Sequence, residues 1–451
     1  MNLKILVLGS VLLLGGCATT APTFDQQPTS MVAPEQDWAF DQKAATALAD
    51  SLLTLFDDAA LTELVALSQQ QNLSLLQQKA ATDALAAAVT QADAASSPEL
   101  SINQNSSRQD NGTALSETHS LTLDAKWELD LWGKLSTQSK TAVANFEASK
   151  LSYHWLKASI AAQTMQAYVN AVTQAQQLEL SEEKVLSFDK TLNVVTAKFK
   201  AGTADLDELT EARQNLGAAE ADRIESELAQ RNAVRTLQLL TGDYPDGLDL
   251  PGTKLPALLS APDAQVPASI LAQRPDVQSA WFSVKSASSS VVAAKAARLP
   301  NISLTGQFGN SSDALKDLLS GNTLWSLASS IGYTLFDQGA LKAEVAASQS
   351  LAEQSYYQYL ETVLDALNEV ETALDTEQSH YKLEKAQREV VKQARLLLAN
   401  SEQDYRNGSV DMTDWLMYQR SYFNEQSALI ETVNQRLQNR VSLGLALGLA
   451  I

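Results

Sequence analysis

Leu121-Thr122-Leu123-Asp124-Ala125-Lys126-Trp127-Glu128-Leu129-Asp130 alternates without a break. Leu121, Leu123, Ala125, Trp127 and Leu129 share one face, and Thr122, Asp124, Lys126, Glu128 and Asp130 share the other. A period of two with this contrast is that of a β-strand with one apolar and one wet face. About ten residues is also the length that a tilted membrane strand needs. A small antiparallel sheet on a water-soluble domain would alternate in the same way, so the rest of the chain has to decide between the two.

A second stretch carries Trp325, Leu327, Ile331, Tyr333 and Leu335 on one face. Shorter apolar partners precede each strand: Leu100 with Ile102, and Ile302 and Leu304 with Phe308. Polar loops are expected over 108–118 and 310–322. Trp127, Trp132, Trp325 and Tyr333 are candidates for an aromatic girdle at a membrane surface. One chain then supplies four strands, whereas single-chain outer-membrane barrels begin at about eight. Open sheet edges are not tolerated in lipid. Membrane strands in this chain therefore have to be pooled between chains, and three chains would close a barrel of twelve.

The chain also repeats itself at an offset of 206 residues. Gly133 matches Gly339, Leu129 and Leu135 match Leu335 and Leu341, and Tyr153 matches Tyr359. Phe199 to Thr203 matches Tyr405 to Ser409, Asp205 matches Asp411, and Gly242 matches Gly448. One offset held over this distance implies two tandem structural repeats, expected over 38–241 and 268–451. Between them, 242–267 carries Pro245, Pro251, Pro256, Pro262 and Pro267 and reads as a linker too rich in proline for a helix. Each repeat orders a helix, two strands, a very long helix, a break at Gly202 or Gly408, and a further helix. The long helices are expected over about 134–200 and 340–406, each on the order of 100 Å. Leu360, Leu367, Leu374 and Tyr381 recur every seven residues, as do Leu416, Phe423, Ile430 and Leu437. Many other seam positions are Ala, Ser or Thr, which bury little apolar area. Such helices gain stability from many neighbours rather than from one deep core.

Residues 1–16 read as an export signal, with Lys4 before the apolar run Ile5 to Leu14. The run ends in Leu14-Gly15-Gly16-Cys17, similar to the bacterial lipoprotein cleavage box. Cys17 is the only cysteine, so no disulfide accounts for it; an ordinary cleavage site with an incidental cysteine is the alternative. By that resemblance Cys17 carries the lipid, and Ala18 after it implies sorting to the outer membrane. Residues 17–37 read as a polar tether from the lipid to the first helix. No later stretch is apolar for the eighteen or more residues of a transmembrane helix.

The 451 residues carry a net charge of −20, the wrong sign for nucleic acid. That balance suits a solvated extracytoplasmic protein or a lumen that favours cations. The three histidines, His119, His154 and His380, lie on separate elements without ligand spacing. Neither a zinc motif nor a phosphate loop is present, and carboxylates on helices are most simply a solvated face. The chain is therefore read as having no enzymatic activity, no metal site and no cofactor beyond a covalent lipid on Cys17. Met31, Met165, Met412 and Met417 do not cluster as a soft-metal site would.

The lipoprotein box, the two-fold repeat, the strand pairs and the long helices together resemble the TolC-like outer-membrane efflux proteins, most closely the lipidated branch that works with resistance-nodulation-division pumps. Leu271-Ala272-Gln273-Arg274-Pro275-Asp276-Val277 is similar to that branch's Arg-Pro-Asp-Val signature, and 408–416 resembles its helix-break region. The resemblance implies a mainly α chain with a small β part, assembled as a homotrimer. Its helices would form an α-helical barrel in the periplasm below a shared 12-stranded β-barrel in the outer membrane, with an equatorial belt at mid-height. It implies docking to a periplasmic adaptor and an inner-membrane pump, and export of drugs or other toxic small molecules. The duct of a type I protein-secretion system has the same fold, and a periplasmic coiled-coil scaffold is a more distant reading. The family closes its periplasmic tip where the second long helix turns into the last one. The resemblance thus makes Asp414, then Asp411, candidates for an acidic constriction, with Met417 as an apolar part of it. The same carboxylates would equally serve as helix caps.

Overall fold

The computed structural model describes residues 20–26, 38, 51–56, 58–110, 112–113, 115–250, 252, 254–258, 267–320 and 322–451. Cys17, the 1–16 signal and most of the 17–37 tether lie outside the described residues.

In the first repeat a short 3-10 turn is followed by α1 (Ala59–Gln71), α2 (Leu73–Ala94), β1 (Glu99–Asp110), β2 (Leu115–Leu129), α3 (Lys134–Lys200) and α4 (Leu206–Thr241). The second gives α5 (Pro267–Gln273), α6 (Pro275–Ala296), β3 (Asn301–Ser312), β4 (Asn322–Gly332), α7 (Ala340–Asn407) and α8 (Met412–Ala446). The order of elements is the expected one, with one addition: the leading helix of each repeat is split, at Asn72 and at Arg274. Asn72 turns its side chain back onto the chain, Oδ1 accepting from the Ser74 amide at 3.0 Å while Nδ2 donates to the Leu240 carbonyl. Pro275 then opens α6, where its missing N–H is no loss.

α3 and α7 run for 67 and 68 residues without interruption. Each stops at a glycine in the left-handed region, Gly202 at φ +75° and Gly408 at φ +79°. The Thr203 amide donates to the Lys198 carbonyl and the Gly202 amide to that of Phe199; Ser409 with Asp404 and Gly408 with Tyr405 repeat the pattern. This paired closure satisfies the last carbonyls of a helix and favours glycine at its left-handed position. Asp205 and Asp411 then open α4 and α8, each accepting at 2.9 Å from the amide three residues on.

The chain divides into two compact units. Met1–Gln26, Asp83–Ala148 and Ala280–Tyr359 form one, and Gln27–Thr82, Ser149–Ser279 and Leu360–Ile451 the other. The second unit holds the apolar cores. One gathers Leu52, Leu55, Met165, Tyr168, Val172 and Val441, and another Phe188, Val195, Leu209, Tyr405, Trp415 and Leu416. A third packs Ile270, Val370, Leu374, Leu443 and Leu447 around the start of the second repeat. There Arg274 is 1% exposed. Its guanidinium bonds both Asp276 oxygens at 3.1 and 2.6 Å, pairs with Glu369 at 2.8 Å, donates to the Ala446 carbonyl at 3.1 Å and lies 4.7 Å from the centre of the Trp155 ring. The residue that opens the second repeat thus also holds the C-terminal carbonyl end of α8.

Candidate functional site

The first unit holds a four-stranded antiparallel sheet in the order β1-β2-β3-β4, so the β2–β3 pair joins the two repeats. Its register sorts every side chain to a face. Ile102, Leu123, Phe308 and Trp325 stand directly opposite one another across the four strands. Leu100, Ala125, Gly306 and Leu327 form the next rung, Trp127 and Leu304 the one after, and Leu129, Ile302 and Ile331 the last. This face is bare: Leu123, Trp127, Trp325, Leu327 and Ile331 are all exposed, the last three at 72–76%. Leu121 and Leu129 are half-buried at the two ends of the same row of β2. An exposed apolar row on each of four strands would be unfavourable in water.

The opposite face is polar. Ser101, Asp124, Gln307 and Ser326 are opposite one another, as are Glu99, Lys126 and Thr305. Asn103 Nδ2 donates to Asp124 at 2.6 Å, Thr122 Oγ1 donates to the same oxygen at 3.0 Å, and Ser303 and Ser330 are bonded at 2.7 Å. β1 and β4 each have a strand on one side only, leaving two edges.

Four sequence readings need correction here. The loops are shorter than expected, because β1 runs on to Asp110 and β3 to Ser312 through polar residues held by pairing. Tyr333 lies one residue past the end of β4, though it is 57% exposed. Trp132 donates to the Pro300 carbonyl at 2.6 Å and is tied into the strand–helix turn rather than free for a girdle. Thr122 does not simply face water. It is 5% exposed and opposite Gly309, where an added Cβ would sit 2.1 Å from the Leu121 carbonyl oxygen.

At the helix breaks, Asp411, Asp414 and Met417 are exposed, Met417 at 46%, while Met412, Trp415 and Leu416 turn into the core. Asp411 caps α8 through the Asp414 amide. The structure therefore brings the three candidates onto one outward side of the first turns of α8. The break is tied to its counterpart by a link that sequence alone did not suggest. Lys198 Nζ donates to the Tyr405 carbonyl at 2.9 Å, 3.7 Å from the centre of the Tyr405 ring, and that ring stacks on Trp415 at 4.8 Å.

Among the described residues no helix is long and apolar enough to cross a membrane. The "Probable outer membrane lipoprotein SilC" of Salmonella typhimurium is 25% identical, the match covering 99% of this chain and 98% of that one. The "Cation efflux system protein CusC" of Escherichia coli K12 is 27% identical over 99% of each. The crystal structure of the open state of the MtrE outer membrane channel of Neisseria gonorrhoeae superposes with a TM-score of 0.85 over 96% of this chain and 98% of that one, at 24% identity. The family model for outer membrane efflux proteins matches twice, over residues 64–243 and 266–449. A helix–sheet–helix unit met twice in one chain, its two sheet halves joined at β2–β3, is thus a fold shared along its full length with channels of the outer membrane, and this chain belongs to the outer membrane efflux protein family.

Proposed function

We propose that this outer-membrane efflux channel is built from three copies of the chain and serves as the exit duct of a tripartite pump for drugs or other toxic small molecules. In this reading the apolar rungs of Leu121, Leu123, Trp127, Leu129, Trp325, Leu327 and Ile331, with Tyr333 below them, face lipid. The observation that carries it is the two-faced sheet with two open edges, which lipid tolerates only in a closed barrel. Twelve pooled strands close one, and the Asp124 face lines the lumen. Cys17 carries the lipid. A periplasmic adaptor and an inner-membrane pump, of resistance-nodulation-division type, complete the assembly. The relative named for cation efflux, 27% identical, favours metal cations as a second class of cargo. Deletion of the gene with complementation by the intact chain tests the reading. A panel of antibiotics, dyes, solvents and copper and silver salts should show restored tolerance to at least one class. No restored tolerance across the panel would contradict the efflux role.

The gate follows from the same assembly. Three copies would place Asp411, Asp414 and Met417 as rings about one axis, and rings of carboxylates set cation preference. Asp414 is the favoured member because Asp411 already spends an oxygen on its cap. Single-channel recording in planar bilayers should show Asp414→Ala with higher conductance and weaker cation selectivity than the parent, and Asp205→Ala in the other repeat with neither change. If Asp414→Ala and Asp411→Ala both leave conductance and selectivity untouched, these carboxylates only cap α8.

A further inference from the structure

The linker stretch Lys254 to Leu258 lies beside α7 and α8 within the second unit and walls a groove of about 480 Å³. Leu429, Ile430 and Val433 of α8 and Leu255 and Leu258 of the linker give it an apolar surface, all five half-buried. A concave apolar surface of this size, with a few charged groups converging on it, is the ordinary form of a binding site.

The charged lining is mostly of one sign. Lys254, Arg388 and Arg436 share the groove with one carboxylate, Glu384. That carboxylate is already engaged, accepting from Arg436 Nη1 at 2.7 Å and from Arg388 Nη2 at 2.6 Å. Burial acts to raise the Glu384 carboxyl, but the bonds from Arg436 and Arg388 outweigh it and hold the group below its ordinary value, so it is a fixed counter-charge. Two turns earlier on α7, Glu377 is 2% exposed and takes Arg440 together with the Nε of Arg436. Two carboxylates thus serve three guanidiniums, and the exposed Lys254 adds a fourth cation. This surplus stands in a chain with 33 basic and 53 acidic residues. Arg388 spends Nε and Nη2 on Glu384 and, with its side chain 60% exposed, keeps Nη1 for a further acceptor.

The linker wall also offers backbone. Leu258 is held by an antiparallel bridge to Phe56, but among the described residues the amides of Leu255 and Ala257 form no backbone hydrogen bond. Free amides beside apolar side chains are what an added extended chain satisfies. A single fatty chain ending in a carboxylate would meet the cations and the apolar surface and leave the amides unused. We propose that this groove docks an extended segment of a partner protein in which acidic residues alternate with apolar ones. Its carboxylates meet Arg388 and Lys254, and its apolar side chains cover Leu429, Val433 and Leu255. The site is built from the linker, α7 and α8 within one unit, so it stands apart from the reading of the sheet as a barrel.

The test uses the full-length protein in lipid nanodiscs and a fluorescein-labelled peptide of alternating Glu and Leu, followed by anisotropy against empty nanodiscs. Saturable binding that weakens with added salt is expected. Arg388→Glu and Lys254→Glu should each lower the affinity about ten-fold, mainly through slower association. Lys254 is exposed on the linker, so its variant keeps the fold intact should Arg388→Glu disturb α7. A peptide of alternating Lys and Leu should not bind. Absent binding, equal binding of the two peptides, or an affinity unchanged in both variants overturns the docking site. Dodecanoate that binds the parent and is lost in Arg388→Glu, while the Glu–Leu peptide does not bind, makes the groove an amphiphile site and overturns it as well.

Discussion

Leu123→Arg is expected to remove the protein from the outer membrane. Leu123 stands between Ile102 and Phe308 in the apolar row that ends at Trp325. A cation placed on the lipid side of a membrane barrel costs roughly 2–4 kcal/mol near the midplane, and a three-chain barrel would incur it three times. Ser326→Arg is the proper control. Ser326 is exposed on the polar face, opposite Gln307 and in the rung of Asp124, so a guanidinium there meets water and carboxylate. Thr122→Arg would not serve, because the Thr122 side chain is buried and bonded to Asp124, so the substitution would fail for steric reasons. Outer-membrane fractionation followed by mild-detergent electrophoresis should show assembled protein for Ser326→Arg and little for Leu123→Arg. Equal insertion of the two would mean that the apolar rungs do not face lipid.

Arg274→Ala is expected to cost about 3–5 kcal/mol, the range for breaking a buried pair by removing one partner. Four things are lost together: the two bonds to Asp276, the pair with Glu369, the bond to the Ala446 carbonyl that closes α8, and the contact with Trp155. Arg274→Lys should recover only part of this, because a lysine has no planar fork to meet both Asp276 oxygens and the carbonyl at once. Glu369→Gln should cost less than about 1 kcal/mol, since that carboxylate is half exposed and screened. Urea-unfolding midpoints of the three variants give the order directly. A cost for Arg274→Ala no larger than that of Glu369→Gln would make Arg274 an ordinary surface residue at a helix start.

The long elements were legible because their signals are local. A run from Ala340 with no proline or internal glycine reads as one helix, and a glycine with an aspartate three residues on reads as its end and the start of the next. The alternation over 121–130 likewise identified β2 and its two faces. What escaped depends on distant partners. Residues 108–110 of β1 are polar and read as loop, yet each finds a pairing partner in β2. The burial of the Arg274 guanidinium depends on Glu369 and on a carbonyl 172 residues away. The seating of residues 20–26 has no sequence mark beyond Pro22 and Phe24, because the groove beside them is lined by α3 and α6 and the ring under Phe24 comes from α7. At the proposed gate the three candidates came from the family resemblance, with helix capping as the alternative for the two carboxylates. The geometry assigns Asp411 to the cap and leaves Asp414 and Met417 outward.

The central claim is that a four-stranded sheet with two open edges and one greasy face exists only as part of a barrel shared between chains. The mass of the purified full-length protein in mild detergent, measured by light scattering with the detergent contribution removed, tests it most directly. Three protomers per particle are expected, with aggregation when the detergent is withdrawn. A stable monomer that stays in solution without detergent would contradict both the shared barrel and the duct.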